Sequence, residues 1–199
     1  MYISCSWDDG TYADANVIEI MKDLQITGTF FLIGRFLQYR LKRSGKKTLR
    51  MYDGMEVGGH TMTHANLTEI SKDQVSEEVG KCQQLLNELF ERPITSFAFP
   101  GGYASWEIEE SIRQFGINYV RTTTSWYPGM FQRWVRPDAC FEHRKTFWQA
   151  YEKARGYFCF YGHAKGLSKE LIYESLKRIK EDGHTFVTHE VMLKRLLAL

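Results

Sequence analysis

The sequence predicts an α/β fold, a (β/α) barrel of seven or eight short, parallel strands, and three observations carry that prediction. Short apolar runs alternate with stretches of helical periodicity along the whole chain. No glycine-rich phosphate loop follows the first strand, which disfavours an open doubly wound sheet. The residues best suited to chemistry, Asp8, Asp9, His60 and His64, all fall just beyond predicted strands, where such barrels gather their reactive groups.

Taken in order, Tyr2-Ile3-Ser4-Cys5-Ser6-Trp7 reads as a buried strand ending at the acidic pair, and residues 15–24 follow with helical spacing. Gly28-Thr29-Phe30-Phe31-Leu32-Ile33 is a second strand and Met55-Glu56-Val57-Gly58 a third. Ser71-Lys72-Asp73-Gln74 has the form of a capping box and introduces a long helix over residues 75–90. Further strands are expected at 94–99, 118–121, 140–143, 157–161 and 185–187, with helices near 105–115, 168–180 and 189–199. Alternation of this kind implies a mostly parallel sheet covered by helices.

At 199 residues the chain is long enough for one sizeable core and short for two, so a single domain spanning 1–199 is expected. Its 26 basic residues nearly balance its 24 acidic ones, which gives no global argument for nucleic acid or an anionic membrane. The four cysteines form no CxxC pair and sit in apolar segments, as buried thiols do rather than a disulfide framework. No apolar run reaches the ~18 residues of a membrane span. Met1 runs directly into the first strand with no basic region or cleavage site before it, so the expected location is the cytoplasm; a secreted chain trimmed of its leader would read the same.

Ser6-Trp7-Asp8-Asp9-Gly10 and His60-Thr61-Met62-Thr63-His64 together supply two carboxylates and two imidazoles. Two histidines four apart can face one cation if the segment turns helically, and a carboxylate from another strand completes a three-ligand set with positions left for water and substrate. With Asp9 on the cation, Asp8 is free to act as a general base. Gly10 lets the chain turn sharply after the pair. Each motif alone is also what an ordinary turn or a pair of surface histidines looks like; the two together, each after a strand, point to a hydrolytic metal centre.

These segments resemble the polysaccharide deacetylase family, also called the NodB-homology domain or carbohydrate esterase family four. Ser6-Trp7-Asp8-Asp9-Gly10 is similar to its first motif, usually Thr-Phe-Asp-Asp-Gly, and Gly28-Thr29-Phe30-Phe31 to the strand that follows. His60-Thr61-Met62-Thr63-His64, preceded by Glu56-Val57-Gly58-Gly59, is similar to the second motif. The resemblance implies a distorted (β/α) barrel of NodB-homology type, a divalent metal on Asp9, His60 and His64, and Asp8 as base. Zinc is the expected metal, with cobalt and nickel as alternatives.

Phe97-Ala98-Phe99-Pro100-Gly101-Gly102 occupies the place of the third motif, usually Arg-x-Pro-Tyr-Gly, in which the amide after the proline helps hold the oxyanion. Gly101 would supply that amide. Ala98 stands where the arginine often stands, and Arg121 and Arg136 are the candidates to replace it. Tyr161-Gly162-His163 resembles the last motif, which makes His163 the expected general acid, with His143 as competitor. His184 and His189 read as surface or packing residues. The motif that orients the acid has no clean match; Trp126, Trp134 and Asp138 lie in the corresponding stretch. Its aromatics suit either a sugar face or the core.

Residues 35–50 hold seven Lys or Arg and no Asp or Glu, the pattern of a solvated face or of a docking surface for an anionic glycan, phosphosugar or lipid headgroup. The expected activity is metal-dependent removal of acetyl groups from N-acetylated sugars, with a carbohydrate partner that can be anionic. A different amide or ester substrate, such as an O-acetylated glycan or a small cytosolic amide, keeps the same site. A non-catalytic glycan-binding relative is the third alternative, suggested by Ala98 and opposed by the presence of Asp8 and His163.

Overall fold

A computed structural model describes residues 1–123, 134, 135 and 137–198, with backbone alone at 134 and 135. The first half runs β1 (Tyr2–Asp8), α1 (Asp14–Asp23), β2 (Thr29–Leu32), α2 (Gly34–Ser44), α3 (Lys47–Arg50), β3 (Glu56–Gly59), α4 (Lys72–Phe90) and β4 (Ser96–Ala98). The second runs α5 (Trp106–Ile112), β5 (Tyr119–Arg121), β6 (Trp134–Val135), β7 (Ala139–Cys140), α6 (Arg144–Lys153), β8 (Tyr157–His163), α7 (Lys169–Glu181), β9 (Thr185–Val187) and α8 (His189–Leu197).

The strands hydrogen-bond in the order β6-β5-β4-β3-β2-β1-β8-β7, and every one of these pairs is parallel. Among the described residues β6 and β7 do not pair with each other, so the sheet curls into a barrel left open on that side. This is the distorted barrel the sequence predicts. β1 is the centre of the sheet: β8 pairs along its whole length, β2 joins at Ser6 and Trp7, and β9 takes the other half at Tyr2, Ile3 and Ser4. β9 leads into α8, whose first amides cap the bottom of the barrel. His189 donates to Thr29 Oγ1 at 2.8 Å and Glu190 to Glu56 Oε2 at 3.1 Å, and Glu56 also accepts from Ser96.

Burial follows the alternation in the sequence. Six of the seven residues of β1 are buried because helices cover one face and barrel-interior side chains the other. An aromatic cluster of Trp7, Phe141, Phe147, Phe158 and Phe160 fills the β1/β8 side, with ring centroids 5.1 to 5.9 Å apart. Cys5, Cys82 and Cys159 are buried and Cys140 half-buried, all four free. Burial pushes the Cys5 and Cys82 thiols up to about 12, so they behave as inert apolar groups.

The capping box forms as expected: Gln74 N donates to Ser71 Oγ and Ser71 N to the Gln74 side chain. Two helices depart from the sequence reading. The basic stretch after β2 is the helix α2, and the expected strand at 140–143 stops at Cys140 because Phe141 to His143 turn into α6. The terminal helix ends at Leu197, and Leu199 lies outside the described residues. No described helix is long and apolar enough to cross a membrane.

Candidate metal centre and active site

The strand ends bring the predicted residues together at one rim. Asp9 follows β1 in a left-handed conformation (φ 80°), which a non-glycine residue adopts only when its surroundings hold it there. Gly10 continues the turn at φ 71°, and a Cβ there would press on Leu32 at 3.0 Å. A buried network secures this turn from beneath. Arg40 Nη1 donates to the Gly10 carbonyl at 2.6 Å and to Tyr52 Oη at 2.9 Å, and Tyr52 in turn donates to Asp14 at 2.8 Å. Burial pushes the Asp14 carboxyl up to about 7, against the lowering influence of Tyr52 and Arg40.

The two histidines do not share a helical turn, contrary to the sequence expectation. His60 follows β3 directly in a buried position, Thr61 and His64 take left-handed conformations (φ 61° and 69°), and the loop is pinned from two sides. Thr61 and Met62 carbonyls accept the amides of Gly34 and Arg35, while Met62 N and Thr63 N donate to Glu78. The bends, rather than helical periodicity, turn both rings to one place: their centroids lie 4.9 Å apart.

One ligand atom from each of Asp9, His60 and His64 falls within 4.8 Å of the others. His60 Nε2 and His64 Nε2 stand 3.8 and 3.6 Å from Asp9 Oδ1, too far for good hydrogen bonds and right for three groups facing a common ion. Asp9 Oδ1 is buried and without a hydrogen-bond partner, a costly arrangement that a cation would relieve. His60 Nδ1 donates to the Ala98 carbonyl at 2.8 Å, which leaves Nε2 as the lone-pair nitrogen. Burial lowers the His60 pKa to about 4, with Arg121 and His64 acting in the same sense, so its imidazole is neutral and able to ligate near pH 7. The donor set therefore fits a divalent metal.

Asp8, the last residue of β1, is buried and bound through Oδ2 to Arg121 Nη2 at 2.5 Å, while its Oδ1 has no partner. Arg121 is the Cα partner of Ala98 on the neighbouring strand, so the missing arginine is supplied from the same register one strand over. Its guanidinium lies 5.3 Å from the Phe31 ring and 4.9 Å from Tyr161, contacts suited to a planar cation. Arg136, the other candidate, lies outside the described residues.

β1 and β8 pair with Asp8 directly opposite His163. His163 is held by Glu142, whose Oε1 accepts both the ring Nδ1 and the backbone amide of His163, each at 2.7 Å. The Glu142 bond raises the His163 pKa, outweighing partial burial. Burial works against ionisation of Glu142, but the bonds from His163 and Cys140 dominate and bring its carboxyl to about 2. Gly101 sits in an exposed tight turn immediately beyond β4, at φ 64°, with its carbonyl accepting from Thr123.

Glu142 is the residue sequence reasoning missed. Its signal was faint: a carboxylate next to His143, at the end of an expected strand. His143 itself is exposed and serves as the first cap of α6. Asp138 accepts the backbone amide of Cys159, four residues before His163, and Trp126 and the Trp134 side chain lie outside the described residues. His189 is buried against Phe31, a packing residue as expected, while His184 is half-buried near the N-terminus.

The structure is thus a curled parallel barrel with an Asp-His-His cluster at its rim, and comparison with known proteins assigns the family. The polysaccharide deacetylase model matches residues 1–120, and the chain belongs to that family. It is 29% identical over 121 residues to a chitooligosaccharide deacetylase of Azorhizobium caulinodans, covering 59% of this chain and 56% of the relative. It is 30% identical over 112 residues to the peptidoglycan-N-acetylmuramic acid deacetylase PdaA of Bacillus subtilis, covering 52% and 39%. The chain thus spans about half or less of the curated relatives it matches. The fold is also that of a carbohydrate esterase family four pseudoenzyme from Bacillus anthracis, with a TM-score of 0.76 and 18% identity over 96% of this chain and 65% of that one.

Proposed function

We propose that this chain is one catalytic domain that hydrolyses the acetamide of an N-acetylated sugar, releasing acetate and a free amine, with a divalent metal on Asp9, His60 and His64. The observation that carries the reading is the pairing of Asp8 and His163 across β1 and β8 beside that cluster. A fold shared with a pseudoenzyme does not by itself imply turnover, so the argument rests on these side chains.

A divalent cation held by Asp9, His60 and His64, for which zinc is the expected ion, would supply Lewis-acid polarisation of the amide carbonyl and acidify a water. Asp8 takes the proton from the attacking water; Arg121 fixes this carboxylate through Oδ2 and leaves Oδ1 for the transfer. The Gly101 amide, in the turn beyond β4, is assigned to steadying the oxyanion on the strength of the family resemblance of that segment. His163, whose pKa the Glu142 bond raises, gives its proton to the nitrogen as the carbon–nitrogen bond breaks. The base is thus paired with a cation and the acid with an anion, the arrangement that separates two titrating roles.

The names of the relatives, which act on chitooligosaccharides and peptidoglycan, support a glycan substrate. Acetate release from a panel of N-acetyl and O-acetyl oligosaccharides, with metal-stripped protein and after reloading with zinc, cobalt or nickel, tests the reading. Metal-restored release from N-acetyl sugars is expected. Release only from O-acetyl esters would move the substrate class, and silence across the panel with metal bound would overturn the proposal.

A further inference from the structure

Beside the metal centre lies a groove of about 680 Å³, within the size range of small-ligand sites, which reaches from Asp9 and His64 toward α2. Three large aromatics line it, Tyr12, Phe36 and Tyr39, each about half exposed (53%, 47% and 49%). Single exposed aromatics are ordinary, but three in one groove opening onto a reactive centre form a patch that calls for an occupant. Flat aromatic faces suit the C–H face of a sugar ring.

The charge of the groove narrows the choice. Among the described residues its only lining carboxylate is Asp9, which the metal centre uses, whereas Arg35 and Lys165 line it as exposed cations. Neither forms an ion pair among the described residues, unlike Lys81, Arg113, Lys169 and Lys194 elsewhere on the surface. Arg35 also lies in the first turn of the 11-residue helix α2, where a positive residue opposes the helix dipole and is unfavourable unless an anion joins it. The rest of α2 and α3 continues the positive rim, with no Asp or Glu anywhere in residues 34–50.

We propose that this groove binds an acidic sugar unit adjacent to the one being deacetylated, with its ring on the aromatics and its carboxylate at Arg35 and Lys165. A ring carboxylate is favoured over a phosphodiester because the aromatics and cations line one groove: a uronic-type ring presents its stacking face and its charge together, whereas a phosphodiester carries the charge between rings. The assignment rests on the deacetylase reading only for the position of the acetylated unit.

Titration calorimetry on the metal-loaded protein tests it with three probes: chitotetraose, a tetrasaccharide alternating N-acetylglucosamine with glucuronic acid, and a phosphodiester-linked dimer of N-acetylglucosamine. The alternating tetrasaccharide should bind about tenfold more tightly than chitotetraose, as two partly solvated charge contacts allow. That ratio should fall toward one in the Arg35→Gln/Lys165→Gln double variant and at high salt. Phe36→Ala should weaken both tetrasaccharides. Equal affinities, an advantage that survives in the double variant, or a preference for the phosphodiester would each overturn the assignment. Acetate release is followed in the same samples. Its absence alongside an intact affinity difference would count against the deacetylase reading and leave the groove assignment standing.

Discussion

Replacing Glu142 by Gln isolates the contribution of the residue that holds the acid. In the native site one carboxylate oxygen accepts two bonds from His163, at 2.7 Å each, and both are assisted by charge when the imidazole is protonated. Gln keeps the size and one acceptor but removes the negative charge. A charge-assisted bond exceeds a neutral one by about 1 to 1.5 kcal/mol, and the 41% exposure of the His163 side chain favours the lower figure. That energy corresponds to roughly a tenfold loss in kcat/KM. The pH profile is more diagnostic than the magnitude. His163 is raised above its ordinary pKa chiefly by Glu142, so an enzyme that needs the protonated ring loses activity as pH rises through that raised value. In Glu142→Gln the alkaline limb of kcat/KM, followed by acetate release, should move to lower pH. An unmoved alkaline limb with a tenfold slower enzyme would refute the assignment of His163 as the acid.

Other consequences concern stability and the buried charges. Arg121→Ala leaves Asp8 buried without its cation and should cost about 3 to 5 kcal/mol in denaturant unfolding, with turnover lost as well. Phe147→Ala removes the ring that touches Phe141, Phe158 and Phe160 and should cost about 3 to 5 kcal/mol, with metal binding retained in the folded fraction. His189 is buried with its pKa lowered to about 3 by desolvation and by the nearby Arg121 charge. The unfolded chain takes up a proton below about 6.5 that the folded chain refuses, so stability falls as pH drops; the loss from this group between pH 7 and 5 is about 2 kcal/mol. In His189→Gln that part of the pH dependence should disappear from the unfolding free energy.

Much of this molecule is legible in its sequence because the signals are local. Trp7 to Gly10 encodes a strand stopped by a turn, Ser71 and Gln74 encode a helix start, and the apolar runs of β1 and β8 encode burial on both faces. What escaped depends on distance or on missing local cues. Neither α2 nor α6 has a side-chain cap or an acidic first turn, so charge and aromatic content masked their periodicity. The closeness of His60 and His64 comes from backbone bends held by Glu78 and by amides of α2, which no spacing rule contains. Arg121 replaces an arginine absent at Ala98 because β4 and β5 pair in that register, and Glu142 reaches His163 because β7 pairs with β8. Both are consequences of strand pairing between segments far apart in the chain.

Metal content and turnover measured side by side in Asp8→Asn and Asp9→Asn test the central claim most directly, that neighbouring carboxylates divide the work of base and ligand. Asp8→Asn should retain about one metal per chain and lose acetate release, whereas Asp9→Asn should lose both together. Equal metal loss in the two variants, or full turnover in Asp8→Asn, would contradict it.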